Sequence, residues 1–160
     1  MTSELPQVTI CVPVRNGEST ICRTLDSILA QDYPNIEIIV SDNCSTDETA
    51  KNVQCYSGCG VNYYLNPQLE AYGESNWNHI LSLAKGPLIA LYHADDIYTP
   101  TMVRRQVEFL EAHSETSAVF TMSQTIDEQD RPIRMGCFRL PKKLRGQEFF
   151  IIQLIICFIF

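Results

Sequence analysis

A chain of 160 residues with a formal charge of −7 and no Lys- or Arg-rich helix has enough residues for one sizeable core. It has no cationic face for neutralising phosphates, which disfavours a nucleic-acid partner. Seven cysteines, an odd number with no CxxC, read as reduced thiols of a cytoplasmic protein and not as a disulfide framework.

The N-terminal MTSELPQ lacks the basic region and apolar core of a signal peptide. Residues 8–14 then read as an apolar strand, closed by the turn signal Asn16-Gly17. Ile21, Leu25, Ile28 and Leu29 fall on one face and predict a helix over residues 19–31. Residues 36–40 predict a second strand. It is nearly all apolar, as expected where helices cover both faces of a sheet. Ser45-Thr46-Asp47-Glu48 fits a capping box, which predicts a helix from Ser45 to about Tyr56. Cys55-x-x-x-Cys59 resembles half a zinc site, but no second pair has suitable spacing.

A third strand is expected over residues 61–65 and a polar loop over 66–73. Trp77, Ile80, Leu81 and Ala84 mark a helix stopped by Gly86 at the C′ position. Trp77 reads as core, not as a platform for a sugar ring. Residues 88–92 predict strand four. Val103, Val107 and Leu110 give another helix, with Pro100 at N1. Residues 117–125 are β-rich, Asp127-Glu128-Gln129-Asp130 is a turn, and residues 132–138 form a hairpin's second arm. Residues 140–146 form a basic loop. The alternation of strands and helices with short connections argues an α/β fold with a Rossmann-like, doubly wound, mainly parallel sheet.

From Phe149 to Phe160 every residue except Gln153 is apolar. Twelve residues are too few for a bilayer-spanning helix, which needs roughly 20. The first reading is a core element cut by the chain end. The second is a tail docking on the inner face of the membrane, with Lys142, Lys143 and Arg145 meeting anionic headgroups.

Four loops should converge at the carboxyl edge of the sheet, where open α/β sheets bind ligands. They carry Pro13 to Gly17, Ser41 to Ser45, Asn66-Pro67, and His93-Ala94-Asp95-Asp96. No GxGxxG or GxxxxGK[ST] occurs, so the phosphate-cradling glycines of dinucleotide and P-loop sites are missing. Adjacent carboxylates repel a phosphate but can hold a divalent ion that binds one.

Three strings at matching spacing, VTICVPVRN, QDYPNIEIIVSDNCSTDET and ALYHADDIYTP, resemble the nucleotide-sugar-binding half of the family 2 glycosyltransferases, which have the GT-A fold. The resemblance runs from about Val8 to Phe120. It implies a single GT-A-like domain over residues 1–160, with a donor-binding portion at 8–120 and an incomplete acceptor portion at 121–160. It implies that Pro13 and Asn16 border the nucleotide and that Asp42 hydrogen-bonds the base. Asn43 stands where members often carry a second acid. Asp95 matches the final acid of the DxD-type motif, the Mg²⁺ or Mn²⁺ ligand, and Asp96 orients the loop. His93 departs from the acid many members have. It reads either as an exposed loop histidine or as a partner of a ribose or sugar hydroxyl or of the metal. Arg15 could reach a phosphate, although lone loop cations are usually solvated.

The function implied is inverting, metal-dependent transfer of a sugar from a nucleotide-diphospho-sugar donor to a hydroxyl of a saccharide or lipid-linked acceptor. The general base is unassigned: Asp127, Glu128, Asp130 and Glu148 sit in no recognisable base motif. A chain lacking it would not transfer sugar alone. The alternative of a different class is a catalytically silent nucleotide- and metal-binding module. A metal-dependent nucleotidyltransferase or phosphatase is disfavoured by the small number of acids and the missing basic clamp.

Overall fold

Val8, Ile10, Val12 and Val14 alternate with Thr9, Cys11 and Pro13, yet both sets are largely buried. A strand buried on both sides belongs inside a parallel sheet. The computed structural model describes residues 5–66, 74–127, 129–133 and 156–159, and in it these residues form the central strand β1 (Val8–Val14). The chain continues through α1 (Ile21–Leu29), β2 (Ile36–Asp42), α2 (Thr49–Gln54), a 3-10 turn at Ser57–Cys59, β3 (Val61–Leu65) and α3 (Glu74–Leu83). Then come β4 (Leu88–Leu91), α4 (Met102–Ala112), β5 (Ala118–Phe120) and β6 (Ile156–Ile159).

The sheet order is β3-β2-β1-β4-β6-β5. Strands β1 to β4 pair in parallel, with Val8 opposite both Ile36 and Leu88. β6 pairs antiparallel to β4, so the apolar C-terminal segment places residues 156–159 in the sheet. No helix among the described residues is long and apolar enough to cross a membrane.

The period-two alternation sorts side chains onto two faces. On one, Ile10, Val12 and Val40 pack with Ile21, Leu25 and Ile28 of α1, Val53 of α2 and Val103 and Val107 of α4. On the other, Cys11, Ile39, Ile89 and Leu91 pack with Ile80 of α3, and Trp77 lies partly buried against them. Each fully buried Ile or Leu contributes about 1.5–3 kcal/mol. Burial also pushes the Cys11 thiol up to about 12. Cys11, Cys22, Cys44, Cys55 and Cys59 are free thiols.

Several boundaries differ from expectation for local reasons. The capping box at Ser45 does not form. Ser45 Oγ accepts from the amide of Asn16 instead, and α2 starts at Thr49 with Asp47 Oδ1 accepting from the Thr49 amide. Pro100 is not N1 of α4, which begins at Met102; its carbonyl accepts from the Asp32 amide at 2.8 Å. Gly86 is not a left-handed helix stop: α3 ends at Leu83, and Gly60 is the described glycine with positive φ. Glycine is needed at 86 because a Cβ there would lie 2.6 Å from the Gln7 carbonyl oxygen.

The chain divides into two compact units, residues 1–119 with 155–160, and residues 120–154. In the second, Asp127 closes the expected turn by accepting from the amides of Gln129 and Arg131, beside an antiparallel bridge from Ile126 to Pro132. Glu128, Glu148, the basic loop and residues 134–138 of the hairpin arm lie outside the described residues.

Candidate functional site

β1 is flanked by β2 and β4. The chain runs from β1 to β2 and β3 on one side, then returns to place β4 on the other. The carboxyl ends of β1 and β4 therefore form the topological switch point, where adjacent loops diverge and leave a crevice. A cavity of about 360 Å³ lies there, lined by Pro13, Val14, Arg15, Asn16, Gly17, Ser19, Thr20, His93, Ala94 and Asp95. Four of the predicted site residues, Pro13, Asn16, His93 and Asp95, thus line one cavity.

The loop after β1 is laced to the loop after β2. Asn16 adopts a left-handed backbone, φ 52°, which its short polar side chain tolerates. Its Oδ1 accepts from the Thr46 amide at 2.9 Å, while its own amide donates to Ser45 Oγ at 2.8 Å. The Gly17 amide donates to Thr49 Oγ1, and the Glu18 amide to Asp47 Oδ2. Glu18 Oε2 in return accepts from the Glu48 amide. These amides are already engaged. The side chains of Arg15, Ser19, Thr20, His93 and Asp95 thus give the cavity its polar character.

Asp42 and Asn43 do not line the cavity. β2 extends two residues beyond the expected end, and Asp42 is fully buried in the ladder between Val14 and Leu65. Its Oδ1 accepts from the Ser45 amide and its Oδ2 from the Tyr63 hydroxyl, both at 2.8 Å. Burial and that bond raise the Tyr63 pKa, so the phenol stays protonated and donates. Asn43 is 6% exposed; its amide donates to the Val14 carbonyl, and its Oδ1 is buried with no hydrogen-bond partner.

At the far wall, Asp95 is exposed and Asp96 is partly buried. Desolvation and then the neighbouring Asp95 charge raise the carboxyl pKa of Asp96, with His93 opposing. His93 is partly buried, and its ring meets the Trp77 edge at 5.9 Å and 73°. Trp77 therefore both packs on the core and supports a cavity residue. Among the described residues no group of three or more His, Cys, Asp or Glu could hold a metal ion by itself. An exposed carboxylate with a neighbouring imidazole instead fits a hard cation that takes its other ligands from substrate phosphates and water.

The chain matches the model of "Glycosyl transferase family 2" over residues 9–159. It is 34% identical over 126 residues to EpsE of Bacillus subtilis, covering 77% of this chain and 45% of that protein. It is 31% identical over 137 residues to the UDP-Glc:alpha-D-GlcNAc-diphosphoundecaprenol beta-1,3-glucosyltransferase WfaP of Escherichia coli, covering 86% and 53%. The chain therefore spans about half the length of these relatives. Among solved structures it resembles the mannosyltransferase PcManGT of Pyrobaculum calidifontis, in complex with GDP-Man and Mn²⁺. That likeness has a TM-score of 0.67 and 26% identity, over 80% of this chain and 38% of that one.

Proposed function

This chain belongs to glycosyl transferase family 2 and has the GT-A fold, and we propose that its switch-point cavity binds the diphosphate end of a nucleotide-sugar donor for transfer to an acceptor hydroxyl. The observation that carries this reading is the meeting of Asp95 and His93 with Asn16 and Pro13 around one cavity. A chelated ion at Asp95, Mg²⁺ or Mn²⁺, would supply positive charge against the leaving diphosphate. The mannosyltransferase complex with Mn²⁺ supports that assignment.

The chain's own residues bind and orient. Asn16, fixed by Thr46, holds the β1 loop against the β2 loop and shapes the nucleotide side of the cavity. Arg15 and Ser19 present donors to phosphate or ribose oxygens, and His93 can serve a hydroxyl of the ribose or sugar. Base recognition falls to the Asp42-Asn43 segment at the end of β2. Asp42, fully buried, anchors that segment through the Ser45 amide and the Tyr63 hydroxyl, and the Asn43 oxygen is unpartnered.

In the inverting reaction the acceptor oxygen bonds to the anomeric carbon on the face opposite the diphosphate. The bond from that carbon to the diphosphate oxygen breaks, and the nucleoside diphosphate leaves with the electron pair. The hydroxyl proton passes to a general base, which none of these residues supplies. A lipid-linked diphosphosaccharide acceptor is supported by the relative named for such a substrate, and it would bring the protein to a membrane surface.

Isothermal calorimetry tests the donor site. UDP or GDP should bind in Mn²⁺ and weaken about a hundredfold when EDTA replaces the metal, a loss of about 2.7 kcal/mol. Equal affinity with and without the ion would refute the metal-bridged reading.

A further inference from the structure

Thr24 sits in the middle of α1, beside the core residues Ile21, Leu25 and Ile28, and is 1% exposed. A buried hydroxyl needs partners. Its Oγ1 lies 2.9 Å from the Ala94 carbonyl oxygen and 2.9 Å from that of Asp96. The two carbonyls flank Asp95, so one shared proton spans the peptide segment that carries the exposed carboxylate.

The same helix and the residue just past its C-cap fasten the chain between the acidic loop and α4. Ser27 Oγ accepts from the Tyr98 amide, and Gln31 Nε2 donates to the Thr99 carbonyl while Oε1 accepts from the Val103 amide. Residues 24 and 27 lie on one side of α1, and Gln31 follows just beyond its end. Behind Asp95, the Tyr98 hydroxyl accepts from the His93 amide at 2.7 Å and lies 3.1 Å from the His93 carbonyl oxygen. Tyr98 is itself stacked on Tyr92 at 3.8 Å. The backbone around Asp95 is thus tied on both sides while its side chain stays in the cavity wall.

We propose that Thr24 is a positioning residue for donor binding, acting through the Ala94 and Asp96 carbonyls to hold the Asp95 carboxylate toward the cavity. The proposal rests on the donor-binding reading above. A ligand group fixed before binding gives up less conformational freedom when it binds. Loss of the hydroxyl frees the two carbonyls to find other partners and turns the carboxylate away from its productive orientation.

The test measures UDP and GDP binding to the full chain, in Mn²⁺ and in EDTA. Thr24→Val should lower Mn²⁺-dependent affinity about tenfold, the scale of one lost buried hydrogen bond. Affinity in EDTA should not change, and Thr24→Ser should restore the metal-dependent part. If Thr24→Val does not fold by circular dichroism, Thr24→Ala is compared with Thr24→Ser in the same way. Wild-type metal-dependent affinity in the hydroxyl-free variant would overturn the proposal. So would an equal loss in Mn²⁺ and EDTA, or a failure of Thr24→Ser to restore binding. Asp95→Asn separates the two levels. If it removes the Mn²⁺ effect and Thr24→Val does not, only the positioning role fails. If the parent chain shows no Mn²⁺ effect, or Asp95→Asn leaves it intact, the donor-site reading fails and the role of Thr24 with it.

Discussion

Asp95→Asn should remove the Mn²⁺-dependent part of nucleoside-diphosphate binding, a loss of about a hundredfold, because a neutral amide replaces the carboxylate that would ligate a hard cation. The thermal midpoint should stay within about 2 °C of the parent, since an exposed substitution of this kind seldom moves stability by more than about 0.5 kcal/mol. Asp95 is exposed in the cavity wall, so the exchange leaves no buried polar group without a partner. Calorimetry and a thermal melt of the same preparation measure both quantities. Retention of the metal effect would place the cation elsewhere, and a large drop in the melt would mark Asp95 as a structural residue.

Asp42→Ala should behave in the opposite way. Asp42 is fully buried and accepts from the Ser45 amide and the Tyr63 hydroxyl. Truncation leaves both donors unpaired, and each such group costs about 1–3 kcal/mol. The melt should therefore fall by several degrees. The loop after β2, which Asp42 anchors, should also lose its base contacts. Binding of the nucleoside diphosphate should drop by about tenfold or more, while base-free pyrophosphate with Mn²⁺ binds as before. Equal losses for the two ligands would show that Asp42 is a cap for the β2 loop and not a base-recognition residue.

How much of the fold and the site was legible in the sequence depends on the range of the interactions. Apolar runs marked the strands: residues 61–65 were expected as a strand and are β3, and the expected first strand has the bounds of β1. Hydrophobic spacing placed the helices but not their ends. α2 starts at Thr49 because Ser45 and Asp47 are committed to Asn16 and Glu18, about thirty residues away in sequence. No local cap rule contains that competition. The acidic pair after the fourth strand pointed to Asp95, and the family resemblance to His93 and Asn16. The closing of all three around one cavity needed the parallel register of β1 and β4. Asp42 was placed at the right end of β2, but its burial was not legible, because the ladder runs on through Ser41 and Asp42 itself and Tyr63 of β3 bonds its carboxylate. The role of Thr24 was not legible either. A threonine in an apolar helix stripe is a visible irregularity, but its partners lie some seventy residues downstream.

The central claim is that a divalent ion at Asp95 joins this chain to the diphosphate of its donor. Anomalous diffraction at the manganese edge, from crystals of the chain grown with UDP or GDP and Mn²⁺, tests it most directly. The prediction is one manganese peak at about 2.0–2.6 Å from an Asp95 carboxylate oxygen, the ligand range of hard cations, with diphosphate oxygens completing its shell in the cavity between the β1 and β4 loops. A nucleotide bound there with no manganese near Asp95, or a manganese–diphosphate pair seated elsewhere on the chain, would contradict the account.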